Sequence, residues 1–221
     1  MGTASVAAAQ RRTPAWFGLF LSLFGMLLIR GAFLHFSSDP RSPHVILARE
    51  CCYFALAIFL LLLVRFGENR PLSAVGIGTS VWWKTLGWAV LTAAMCFAVA
   101  GTVVHFTGYH GEDPGTGFDR LPTWLVLLVV LRSGIVEEVC YRGYAMEKLK
   151  EAGLGRVGVF LLPLIIFSCG HYSLGWIGVL LALLLGAILA AMYLWRRDLN
   201  ANMLAHFLVN FISNVLPRLL H

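Results

Sequence analysis

Ser133-Gly134-Ile135-Val136-Glu137-Glu138-Val139-Cys140-Tyr141-Arg142-Gly143 is the stretch on which the reading of this chain turns. Two adjacent carboxylates and a guanidinium stand inside apolar sequence, directly after the run 124–131. A charge at the centre of a membrane span costs about 2.5 kcal/mol or more, so such residues mark sites. Glu138 and Arg142 are four apart with the acid first, the favoured order for a helical ion pair. Glu137 is one residue back and points about 100° away around an α-helix. One carboxylate is therefore read as neutralised, and the other as left for another task.

The surrounding sequence makes this a membrane helix. Of 221 residues, 59% are hydrophobic and 13% charged, against about 45–50% and about 25% in soluble domains. The net charge of +6 falls in alternate loops, and no basic stripe interleaved with aromatics suggests nucleic acid. The five cysteines, Cys51, Cys52, Cys96, Cys140 and Cys169, lie in or beside apolar runs without zinc-ribbon or redox spacing. They are expected to be reduced and buried.

The expected fold is all-α, a polytopic transmembrane bundle of about seven spans. The spans are read at 16–36, 44–66, 81–106, from Pro122 through the charged stretch, 156–171, 174–195 and 199–216. The first run is read as a retained anchor rather than a cleaved leader. Residues 1–121 form an N-terminal group of three spans with their loops, and 122–221 a core of four. Arg49 and Glu50, near the start of the second span, are expected to snorkel to the interface. The loop 107–121 carries Glu112, Asp113 and Asp119. Basic residues crowd the loops on the N-terminal side, so the positive-inside rule puts the N-terminus in the cytoplasm. The expected location is the plasma or inner membrane, crossed several times.

Two more polar clusters follow the first: Phe167-Ser168-Cys169-Gly170-His171, and His206-Phe207-Leu208-Val209-Asn210. Phe167 and His171 share a helix face, as do His206 and Asn210. Counting about 1.5 Å per residue puts Glu137 roughly 8 Å and His206 roughly 10 Å above the inner edge of the hydrocarbon. His171 reaches that depth if the fourth and fifth spans join below the bilayer. Singly, each of these polar groups is an ordinary helix–helix contact; together at one depth they read as a site. His35, His44, His105, His110 and His221 lie at span ends or in loops and are read as interfacial or solvated.

A carboxylate in a low-dielectric pocket suits a general base. A neighbouring histidine can hold a water, and a second histidine and an amide can donate to a developing oxyanion. The set reads as a water-activating hydrolase acting on an amide or ester. No Gly-x-Ser-x-Gly elbow or His-Glu-x-x-His occurs, so no acyl-enzyme is indicated. No metal is required, although Glu and two His leave zinc open. The other readings are a catalytically silent scaffold or immunity protein, and a bis-histidine haem or proton-transfer protein.

Glu137-Glu138-Val-Cys-Tyr-Arg142, Phe167-Ser-Cys-Gly-His171 and His206-Phe-Leu-Val-Asn210, in this order on separate helices, resemble the CAAX prenyl protease 2 and bacteriocin-processing (CPBP, or Abi) intramembrane proteases. The resemblance implies an intramembrane endopeptidase cutting a peptide or protein, lipid-modified or not, near the cytoplasmic face. It implies that Glu137 and His171 activate water, that His206 and Asn210 form the oxyanion hole, and that Glu138 and Arg142 brace the helix. Phe167 is placed against the substrate. The short chain without a soluble domain looks like the bacterial members.

Overall fold

The computed structural model describes residues 2–109 and 121–220, with side chains from Ala15 onward. His110, Glu112, Asp113, Asp119, Arg120 and His221 lie outside the described residues. Among those described, every regular element is helical, in agreement with the all-α expectation. The α-helices are α1 (Gly2–Phe36), α2 (Pro43–Leu62), α3 (Trp82–Thr107), α4 (Thr123–Arg132), α5 (Glu147–Glu151), α6 (Arg156–Cys169), α7 (Gly175–Arg196), α8 (Leu199–Asn214) and α9 (Leu216–Leu220). Pro43 opens α2, where its missing N–H has no cost. Asp198 caps α8 by accepting from the Ala201 N–H at 3.1 Å, and its other oxygen accepts from the Thr85 hydroxyl at 2.7 Å. The cap therefore also ties α8 to α3.

Between α4 and α5 the helix does not break but widens. Residues Ser133–Met146 are wound as a π-helix, in which backbone bonds reach five residues back. This segment is the centre of the molecule: of its fourteen residues all but Ile135 are buried. α1, α2, α6 and α8 pack around it. Val136, Val139, Tyr144 and Ala145 join Leu23, Tyr53, Leu60, Phe167 and Tyr193 in the main apolar core. The physical reason is that a helix with three ionised side chains cannot face lipid. Gly134 permits a close approach of α8, because a Cβ there would stand 2.9 Å from Phe207 Cβ and 3.0 Å from the Met203 carbonyl oxygen.

Among the described residues, four helical stretches are long and apolar enough to cross a membrane: Ala15–Phe36, Pro43–Gly67, Trp82–Thr107 and Tyr172–Arg196. They face outward with Phe17, Phe20, Ile58, Val90 and Trp176 exposed. The remaining three expected spans are shorter or charged. α6 has 14 residues and α8 has 16, fewer than the roughly 20 that a crossing takes. The central helix owes its place to the helices that enclose it. The chain is a multi-pass, all-helical membrane protein.

Two expectations are corrected here. Glu50 does not snorkel: it is fully buried and ion-paired within the bundle. Of the cysteines, only Cys96 and Cys140 are buried, while Cys51, Cys52 and Cys169 are exposed; all five are free. His35, His44 and His105 are exposed, as expected.

Candidate active site

Glu138 has no exposed surface, and both its oxygens are occupied. Oε1 accepts from Arg142 Nη1 at 2.9 Å, which is the ion pair expected from the four-residue spacing. The same oxygen accepts from His206 Nδ1 at 2.9 Å, and Oε2 accepts from Asn202 Nδ2 at 3.1 Å. Asn202 gives its second amide hydrogen to the Leu189 carbonyl at 2.7 Å. Arg142 also donates to the Gly186 carbonyl at 3.0 Å, and its guanidinium lies 4.6 Å from the centre of the Phe167 ring. This is a closed set in which each charge has a partner. Removing one member of such a set leaves an uncompensated buried charge.

Glu137, next in sequence, is only 4% exposed but is half free. Its Oε1 accepts from Arg132 Nη1. Its Oε2 is buried and has no hydrogen-bonding partner among the described residues. His206 Nε2 lies 3.9 Å from Oε2. With Glu138 ionised and His206 neutral, the His206 proton sits on Nδ1 toward Glu138 and the Nε2 lone pair faces Glu137. Two acceptors separated by 3.9 Å are spaced to share one water molecule, which donates to both.

The pairing of Glu137 with Arg132 was missed by sequence reasoning. In an α-helix, residues five apart lie on different faces; in the π-helical winding that begins at Ser133 they stack. Arg132 is itself shared, donating from Nε to Glu50 Oε2 at 2.6 Å and lying 5.1 Å from the centre of the Tyr53 ring. Glu50 Oε1 accepts from Arg49 Nη2 at 3.0 Å. The buried polar group therefore contains Glu50, Glu137 and Glu138 against Arg49, Arg132 and Arg142, and its formal charges cancel. The earlier reading that only one of the adjacent carboxylates is ion-paired is corrected: both are, but only Glu138 is saturated.

The other expected residues lie around this pair. The Phe167 ring is 4.7 Å from the His171 ring and 6.4 Å from the His206 ring, centre to centre, so it stands beside both. His171 Nδ1 donates to the Phe167 carbonyl at 2.9 Å, leaving its Nε2 lone pair open. His206, not His171, is the imidazole beside Glu137. Asn210 donates one amide hydrogen to the Ser133 hydroxyl at 2.8 Å, one helical turn from Glu137. Asn202 was also missed, although Asn202, His206 and Asn210 recur every four residues along one face of α8 and could have been found by that periodicity. Cys140 is fully enclosed and so is not an accessible nucleophile.

Among the described residues, no three His, Cys, Asp or Glu side chains converge in a way that could hold a metal ion.

A type II CAAX prenyl endopeptidase Rce1-like family model matches residues 119–212. The match covers the central helix, α6, α7 and nearly all of α8, and it bears out the resemblance read from the three motifs. No curated protein and no solved structure matches the chain.

Proposed function

We propose that this protein is an intramembrane endopeptidase of the CAAX-protease-like kind, in which Glu137 is the general base. The observation that carries the proposal is the orphaned Glu137 Oε2, buried and facing the His206 Nε2 lone pair at 3.9 Å. A buried carboxylate oxygen without a partner is costly, and such atoms are retained where they have a task. A water held between these two acceptors has both protons engaged and a lone pair directed away from them. On attack, the water oxygen bonds to the peptide carbonyl carbon and its proton passes to Glu137 Oε2. The carbonyl oxygen takes up the negative charge. The second amide hydrogen of Asn210 supports it; as the tetrahedral intermediate collapses, the C–N bond breaks and the proton on Glu137 goes to the departing amine nitrogen.

Glu138 and Arg142 act through His206 by fixing its tautomer and ring plane, much as a buried acid orients the base of a triad. Phe167 stands beside both imidazoles and walls the site, and His171 presents its open Nε2 to the incoming peptide. The reaction as drawn uses no metal. The substrate is a peptide or protein, lipid-modified or not, reaching the site from the bilayer at its cytoplasmic side.

The test is cleavage of quenched CAAX-type and bacteriocin-leader peptides by purified protein in detergent, with and without a strong zinc chelator. Wild type should cleave in both conditions, and Glu137→Gln in neither. Cleavage that stops under chelation contradicts the metal-free chemistry, and cleavage that survives Glu137→Gln contradicts the base.

A further inference from the structure

Arg132 and Glu50 are absent from all three motifs, and Glu50 lies outside the matched residues 119–212 altogether. Both nevertheless belong to the ionic group that contains Glu137. An arginine next to a carboxylate ordinarily takes both oxygens, because its planar fork matches them. Arg132 does not do this. It gives Nη1 to one oxygen of Glu137 and Nε to Glu50 Oε2 at 2.6 Å. Glu50 is completely buried, held from its other side by Arg49, and both guanidiniums lie over the Tyr53 ring, at 5.1 Å and 5.9 Å.

We propose that Glu50 is a positioning residue: by holding Arg132 at Nε, it fixes the guanidinium in a place and plane from which only Nη1 meets Glu137, at Oε1, and so keeps Oε2 free for water. The proposal rests on the reading of Glu137 as base. Arg132 sets the direction of the carboxylate, and Glu50 sets how much of it Arg132 takes. The two-point grip on Arg132 is a geometric constraint that lysine cannot reproduce. It also gives the N-terminal helices a part in the chemistry, since α2 supplies Glu50, Arg49 and Tyr53.

Glu50→Gln removes the competing carboxylate. Arg132 then closes on Glu137, and kcat falls about 100-fold, the scale of a small misplacement of a reacting group, with KM unchanged. Glu50→Asp keeps the competing charge and recovers part of the loss. A purely structural ion pair behaves differently: the folded fraction of Glu50→Gln then cleaves with the wild-type kcat.

An infrared measurement reads the same geometry without turnover. The Glu137 carboxylate stretch is assigned by its loss in Glu137→Gln. It should move in Glu50→Gln, as one-point pairing becomes two-point, and stay in place in the control Glu147→Gln. An unmoved band in folded Glu50→Gln overturns the proposal, as does a kcat equal to wild type. If the band moves but the wild-type enzyme cleaves nothing across a broad peptide library, the base assignment fails while the Glu50 geometry stands.

Discussion

Glu137 and Glu138 are neighbours in the chain, both buried in one widened helix, yet their surroundings are opposites. Around Glu138, Arg142 and the Nδ1 of His206 reach one oxygen and Asn202 reaches the other, so both oxygens are engaged. Around Glu137, Arg132 takes one oxygen and the other faces an imidazole lone pair across a gap. The Glu138 side has the features of a structural ion pair, and the Glu137 side those of a reactive group held slightly unsatisfied. Adjacent identical residues can thus differ because burial alone does not set a carboxylate's role; the number of donors that reach it does.

The sharpest way to break this contrast is at Arg142, which serves the saturated side. Arg142→Ala leaves Glu138 without its ion-pair partner and the Gly186 carbonyl without its donor, and should cost about 3–5 kcal/mol of stability. Thermal unfolding in detergent should show the loss, with cleavage falling because folded protein is lost. Next is Glu137→Gln, which keeps the shape and removes the proposed base. Arg132 retains Glu50, so the unfolding temperature should barely move while cleavage falls about a thousandfold, within the range of general-base effects.

Asn202→Leu tests a finer point. It leaves Glu138 Oε2 without a donor and should cost about 1–3 kcal/mol. Cleavage by the folded fraction should fall only modestly, because Glu138 still holds His206. The smallest effect is expected outside the bundle's centre. Arg70→Gln breaks the ion pair with Glu151, in which both side chains are more than a third exposed, and should change stability by less than about 1 kcal/mol. A large loss there would mean that exposure and saturation do not separate the ionic groups of this protein.

Much of this contrast could be read in the sequence, and the gaps have physical causes. Regular α-helical spacing made the Glu138–Arg142 pair and the shared faces of His206 with Asn210 and Phe167 with His171 visible. The Arg132–Glu137 pair depends on the helix widening at Ser133, which no side-chain pattern announces. Glu50 looked interfacial because it stands near the start of a span; what buries it is an arginine some eighty positions away, a tertiary fact. Asn202 was in plain view on the face of α8 that carries His206. The helical class was legible because long apolar runs have few alternatives. α6 and α8 are apolar too, and their shortness shows only when the helix ends are seen.

The central claim is that the two carboxylates have divided base and brace between them, and one paired measurement addresses it. Glu137→Gln and Glu138→Gln are purified side by side, and each is assayed for peptide cleavage and for thermal unfolding in the same detergent. The account expects Glu137→Gln to melt with wild type and cleave nothing measurable, and Glu138→Gln to melt well below it. If Glu138→Gln melts with wild type and is inactive, while Glu137→Gln still cleaves, the assignment is reversed and the account is wrong.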